Sequence, residues 1–224
     1  MSEHDPTDVT VLFLPGLWMP AWVMIPLQRR ITRCGFRTLR VGYPSVRASL
    51  QQNAQHLAHC IERSGSARVH LVGHSLGGVL ALYATASLAL PAVQRIVMIG
   101  SPYRDSHAAR RLARFRLGRW MMGQSVPQWL ACAKPAVPAQ VEVGVIAGTK
   151  AFGFGALIAP DLPRPHDGVV SVEETSVVGM KAAVCVPVSH SFMLLSTQVG
   201  RLACRFLRSG NFDSDTEFSS EGPA

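Results

Sequence analysis

The chain is poor in charge. Charged residues make up 16% of its 224 residues and apolar ones 48%. That balance lets a chain of this length bury a core, and it excludes a disordered, self-repelling segment. Long apolar runs are missing as well: none approaches the ~18 residues that a membrane-spanning helix needs. Met1 to Asp8 lacks the basic start and apolar stretch of a secretory leader and carries Glu3, Asp5 and Asp8 instead. These absences lead us to expect a soluble, cytoplasmic protein. Cysteine is sparse. Cys34, Cys60, Cys132, Cys185 and Cys204 are odd in number and widely spaced, with no C-x-x-C among them. Zinc sites and disulfide frameworks are therefore not expected, and reduced, mostly buried thiols are. The Gly-x-x-x-x-Gly-Lys-Ser/Thr string of a phosphate-binding loop is absent. His56, His59 and His70 lack Asp, Glu or Cys partners at metal-ligand spacings.

Acid is scarcer than base, which leaves a net charge of +8. The densest cluster is Arg104, Arg110, Arg111, Arg114, Arg116 and Arg119, with Asp105 against it. No nucleic-acid motif accompanies it, so no nucleic-acid partner is expected. A solvated helix face accounts for such a cluster. The alternative is a basic flap, Arg104–Arg119, making weak contact with an anionic membrane surface or an anionic substrate.

What is present is a regular alternation. Short apolar runs at Val9–Leu14, Phe36–Val41, Arg68–Val72, Val93–Ile99, Val141–Ala147 and Ala183–Val188 read as strands. Helical stretches at Pro20–Cys34, Ser45–Ser64, Leu76–Leu90 and Ser191–Leu207 separate them. Gly35 and Gly65 end the first two, and Ser189 or Ser191 could cap the last. Strand–helix alternation predicts an α/β fold: a mostly parallel central sheet with helices on both faces. We expect one domain over 9–208, with tails over 1–8 and 209–224. Residues 101–138, rich in Arg, Trp and Met, hold no clear strand and are the only candidate for a small cap. Like the Gly- and Pro-rich stretch 150–166, they follow a strand on the side where such sheets bind ligands.

The chemistry centres on Gly73-His74-Ser75-Leu76-Gly77. A G-x-S-x-G is short, but here it follows an apolar strand and opens an apolar helix. That context holds a serine in a strained turn with its hydroxyl above the sheet, beside a helix N-terminus that favours developing negative charge. A serine hydroxyl is a weak nucleophile until a base takes its proton. The later histidines are His107, His166 and His190. His107 lies in the arginine-rich stretch and His166 adjoins the best acid candidate. His190 directly follows the last strand and is the candidate base. The acid that orients it comes from Asp161, Asp167, Glu173 or Glu174. Asp167 leads, because the following Gly168-Val169-Val170 permits a tight turn into ordered structure. Oxyanion donors are expected from the backbone N–H of Leu76 and, in the turn after the first strand, of Leu17. Trp18 could wall the pocket. His74 could face substrate or simply pack beside the elbow.

The elbow, the Pro15-Gly16-Leu17 turn, the Asp167-Gly-Val-Val segment and the His190 loop together resemble α/β-hydrolases. They are most similar to small bacterial lipase- and esterase-like members related to triacylglycerol lipases and the GPI-inositol-deacylase-like group. The resemblance runs from about Val9 to Leu207. Many relatives have His-Gly where this chain has Pro15-Gly16, but the donor in question belongs to Leu17. The resemblance implies hydrolysis of carboxylic acyl esters by a Ser75–Asp167–His190 triad through an acyl-enzyme, with no metal or organic cofactor. Two alternatives stay open: a thioesterase or amidase with the same triad, and a non-catalytic scaffold that binds a small molecule or an anionic partner.

Overall fold

Every residue of the run Val9–Leu14 is buried, as a strand covered on both faces must be. This is β1 of a computed structural model that describes residues 9–152 and 161–213. The expected tail over 1–8, and residues 214–224 of the one expected over 209–224, lie outside the described residues. Five further strands follow: β2 Arg37–Arg40, β3 Arg68–His74, β4 Val93–Ile99, β5 Glu142–Gly148 and β6 Ala182–Val186. They form one six-stranded sheet in the order β2-β1-β3-β4-β5-β6, parallel throughout. The expected fold class is the one found.

Helices cover both faces. On one lie α2 (Leu50–Ser64) and α3 (Leu76–Ser87), packed against Leu12, Leu14, Leu71 and Val145. On the other lie α1 (Ile25–Arg33) and α8 (Thr197–Ser209), packed against Val11, Phe13, Val97 and Ile146. Alternate residues of one strand thus feed two separate cores. The chain runs outward from β1 to β2 in one direction and from β3 onward in the other. The C-terminal ends of β1 and β3 are therefore neighbours at the point where the strand order reverses, which is where open α/β sheets bind ligands.

Several boundaries differ from the sequence expectation, each for a local reason. The helix expected from Ser45 starts at Leu50, because Ser49 and Gln52 form a reciprocal capping box there. The first helix is a 3-10 turn over Ala21–Met24 before α1 begins. The expected helix from Ser191 is divided: a 3-10 turn covers His190–Leu194, and α8 starts afresh where the Ser196 side chain accepts from Val199 N–H. Residues 210–212, expected in the C-terminal tail, are tied to the body. Gly210 closes α8 in the left-handed region, and Phe212 is buried with its ring 5.0 Å from Phe206.

The cysteine expectation is corrected. Cys34, just past α1, and Cys204, on α8, form a disulfide with their Cα atoms 6.5 Å apart. Packing of α1 against α8 makes the pair, across 170 residues of sequence. Cys60 and Cys132 are half-buried and Cys185 is exposed, so the free thiols are not core groups. Among the described residues no helix is long and apolar enough to cross a membrane. The cytoplasmic expectation rested on the N-terminus and the missing apolar runs, and the Cys34–Cys204 disulfide does not add to it.

Residues 101–138 hold α4 (His107–Leu112), α5 (Arg116–Met122) and α6 (Ser125–Ala131). This segment is sewn to the body. Asn53 Nδ2 donates to Ser125 Oγ at 3.0 Å, and Leu50 N–H donates to Gln128 Oε1 at 2.6 Å. At its far side Arg104 N–H donates to the Glu174 carbonyl, and His107 N–H donates to Glu174 Oε1. Glu174 lies in α7 (Val172–Thr175).

Candidate active site

Ser75 sits between β3 and α3 with φ 52° and ψ −122°, a conformation that side chains rarely adopt. The glycines around it are required by close approach. A Cβ on Gly73 would lie 2.2 Å from Gly78 N, and one on Gly77 would lie 2.2 Å from the Leu14 carbonyl oxygen. Helix and strand therefore meet backbone to backbone, and the serine between them is forced up. Ser75 N–H is tied to the Ile99 carbonyl at 2.9 Å, and its side chain makes no capping bond to α3.

The neighbouring strand end supplies the second wall. Met19 N–H returns to the Gly16 carbonyl at 3.2 Å, closing a turn over Gly16–Met19 in which Trp18 has φ 63°. A Cβ on Gly16 would stand 3.2 Å from the Ser75 Cβ, so this turn lies directly beside the serine. Two side chains that sequence reasoning missed hold it. The Tyr43 hydroxyl donates to the Pro15 carbonyl at 2.7 Å, and Ser45 Oγ accepts from Trp18 N–H at 3.2 Å. Burial pushes the Tyr43 phenol well above its usual pKa, which keeps the donor protonated. The available signal was position: Tyr43-Pro44-Ser45 follows the end of β2, on the same side of the sheet as the other strand ends.

Asp167 and His190 are brought together. Asp167 is completely buried and His190 nearly so, with His190 Nδ1 and Asp167 Oδ2 2.7 Å apart. His190 N–H also donates to the Asp167 carbonyl at 2.9 Å. The other carboxylate oxygen, Oδ1, accepts from Val169 N–H at 2.9 Å and from Val170 N–H at 2.7 Å. This is the tight turn expected after Asp167, with Gly168 at φ 100°. Space for the pair comes from glycines that the sequence did not flag. A Cβ on Gly100 would stand 3.0 Å from Asp167 Oδ2, and one on Gly148 would stand 2.6 Å from Asp167 Cβ. Asp161, the competing acid, is exposed and faces elsewhere: it pairs with Arg111 at 2.6 Å and lies 3.3 Å from His107. Glu174 is spent on its capping box and on His107. Glu173 is exposed.

His74 does not line open space; of its two expected roles, facing substrate or packing beside the elbow, burial fits the second. Its ring is 1% exposed and lies 4.6 Å from the His190 ring. Its Nε2 sits 3.1 Å from the His190 carbonyl, so the neutral ring donates there. Burial first, and the neighbouring His190 second, depress its pKa to about 3. It is a neutral brace between β3 and the His190 loop. Trp18, expected as a pocket wall, is half exposed and borders an open groove with Met19, Tyr43, Val46 and Arg47. Its indole N–H donates to the Met121 carbonyl at 2.6 Å, which bridges the turn to α5. Of the expected oxyanion donors, Leu17 lies in the Gly16–Met19 turn and Leu76 is the first residue of α3. Among the described residues no group of three or more His, Cys, Asp or Glu side chains could hold a metal ion.

The sequence of residues 11–175 matches the model of the alpha/beta hydrolase family. The chain belongs to that family. The matched span takes in Ser75 and Asp167 and stops before His190. Solved structures agree on the fold. A Bacillus licheniformis lipase in its mature form superposes on this hydrolase with a TM-score of 0.74 at 17% identity, covering 91% of this chain and 92% of that one. A thioesterase of the prodiginine biosynthetic pathway in Streptomyces coelicolor gives 0.58 at 14% identity, covering 90% and 84%. A Bacillus subtilis carboxylesterase gives 0.55 at 19% identity, covering 88% and 83%. Identities this low speak to the hydrolase's fold alone. No curated protein matches it in sequence.

Proposed function

We propose that this alpha/beta hydrolase is a serine hydrolase of carboxylic acyl esters, with Ser75 as nucleophile, His190 as base and Asp167 as the acid that orients it. The observation that carries the reading is the buried Asp167–His190 contact of 2.7 Å; a serine in a strained elbow at the reversal point of the sheet supports it. Because Asp167 Oδ2 faces Nδ1, that nitrogen carries the ring proton and Nε2 is left as a base. His190 Nε2 takes the Ser75 hydroxyl proton as Oγ attacks the acyl carbon. Leu17 and Leu76 N–H hold the oxyanion, each worth about 3 kcal/mol in the transition state. His190 then protonates the departing alcohol, and a water activated by the same imidazole releases the acid and regenerates Ser75.

The test is labelling of the folded protein with a fluorophosphonate probe, with the modified residue located by mass spectrometry. Label on Ser75 that disappears in His190→Ala is the expected result. No label on Ser75 would overturn the reading and leave a binding scaffold. The same array attacks thioesters, and one structural neighbour is a thioesterase. Rates on matched oxygen and thioester substrates of one acyl chain separate the two, and the ester is expected to be the better substrate.

A further inference from the structure

We infer that the exposed face of α5, with the turn that leads into it, docks on a bilayer surface carrying acidic phospholipid headgroups. The proposal takes the hydrolase reading only for its consequence; the binding itself does not depend on Ser75.

The argument starts from Gly118. A Cβ there would lie 2.1 Å from the Leu112 carbonyl oxygen, so α5 presses its glycine side against the end of α4. Gly118 and Met122 are the buried residues of α5. The rest of the helix faces outward, with large apolar side chains beside Arg116 and Arg119. Phe115 is 63% exposed, Leu117 66% and Trp120 67%. The patch continues onto the body through Trp18, whose ring lies 5.8 Å from that of Trp120. Single exposed apolar residues are ordinary; a contiguous set rimmed by charge marks an interaction surface.

The rim has one sign. Residues 101–138 contain Arg104, Arg110, Arg111, Arg114, Arg116, Arg119 and Lys134 against Asp105 alone. Arg110 is taken by Asp105 and Arg111 by Asp161. Arg114 and Arg116, which flank Phe115, are exposed and have no carboxylate within ion-pair distance among the described residues. Arginine next to outward Trp, Phe and Leu is the composition of a surface that sits at the headgroup boundary. The cations meet the anionic groups and the apolar side chains enter the acyl edge. Leu117 and Met121 decide for a bilayer over a nucleic acid: an aliphatic chain gains by leaving water for an acyl layer and has no base to stack upon. The placement has a use. Trp18 ties the patch to the Gly16–Met19 turn beside Ser75, so a docked molecule meets acyl compounds dissolved in the membrane at the mouth of its site.

The experiment is sedimentation of the full chain with phosphatidylcholine vesicles, with and without phosphatidylserine, at low and high salt. Binding is expected on the serine-containing vesicles only, with loss as salt rises and a blue shift of tryptophan emission on binding. Ser75→Ala should bind equally, which separates this proposal from the catalytic one. Arg114→Ala/Arg116→Ala should weaken binding roughly 25-fold, about fivefold for each arginine, with an unchanged circular dichroism spectrum. Leu117→Ser should also weaken it and abolish none of the fold. Equal binding to both vesicle types, no binding at low salt, an unaffected double variant, or tighter binding to a DNA duplex than to acidic vesicles would each overturn the proposal.

Discussion

The strand-end site and the segment over residues 101–138 are built on opposite plans. Around Ser75 the supporting side chains of Asp167, His74 and His190 are buried. Asp167 receives two backbone N–H groups on one oxygen and faces His190 on the other. In α5 the helix presents arginines and large apolar side chains to solvent. The difference teaches where rigidity is needed. A nucleophile and base must be held within a fraction of an ångström, and strand ends locked by backbone contacts do that. A surface that meets a partner needs exposed groups and no such constraint. If this division is right, conservative changes at the site should be costly and drastic ones on α5 mild.

The largest effect should come from Asp167→Asn. The amide oxygen can keep the bonds from Val169 and Val170 N–H, so the turn survives. The amide nitrogen then faces His190 Nδ1 and favours the wrong tautomer. By analogy with the serine-protease triad, kcat should fall roughly 10⁴-fold with little change in melting temperature. Asp161→Asn, which removes a surface pair with Arg111, should leave kcat alone. The reverse pattern would move the acid to Asp161 and undo the comparison.

Acid should damage the body of the molecule next. His74 and His70 are buried, with pKa values depressed to about 3 and about 4, in each case first by burial. The unfolded chain binds protons on both below its ordinary pKa of about 6.5, and the folded chain does not. Stability is therefore full above pH 6.5 and is lost as pH falls from there toward the folded values. Between pH 7.5 and pH 5 the loss should be about 4 kcal/mol, roughly 2 for each imidazole. Urea midpoints over that range check it. His70→Gln should flatten the slope by about half, and an unchanged slope in that variant would show that the imidazole is not buried neutral.

Much of the site was legible because its signals are local. A short apolar strand, a G-x-S-x-G and an apolar helix identify the elbow without any distant information, and β4 falls at Val93–Ile99 as the apolar run indicates. Asp167 was legible through Gly168, whose φ of 100° the turn requires. What was not legible depends on contacts across the chain. Tyr43 and Ser45 brace the Gly16–Met19 turn from another strand end, and no spacing rule announces that. Cys34 meets Cys204 only because α1 and α8 share one face of the sheet. His74 belongs to the motif, and the sequence left open whether it faces substrate or packs beside the elbow; burial makes it a brace. Ser196 ended one helix and began another inside a stretch whose apolar period ran straight through.

Tyr43→Phe tests the bracing directly. It leaves the buried Pro15 carbonyl without its 2.7 Å donor, at about 1–3 kcal/mol. The Gly16–Met19 turn should loosen, and kcat on a soluble ester should fall roughly tenfold, less than the roughly 10²–10³-fold that follows outright loss of an oxyanion donor. KM should move little, because the turn acts on the transition state. An unchanged kcat would show that the turn is held without Tyr43.

The smallest effect should come from the most drastic change in charge. Arg114→Ala/Arg116→Ala removes two exposed cations that have no carboxylate partner among the described residues. Folding stability should stay within about 0.5 kcal/mol, as for surface positions away from caps and cores. Hydrolysis of a short, soluble ester should also be unchanged, since neither side chain holds the Gly16–Met19 turn or the His190 loop. The same substitutions should alter behaviour toward an acyl ester presented in acidic vesicles, where docking limits the encounter. A double variant that lost activity on the soluble ester would show that α5 is part of the catalytic frame. The contrast between a rigid site and a free surface would then fail at the point where Trp18 joins them.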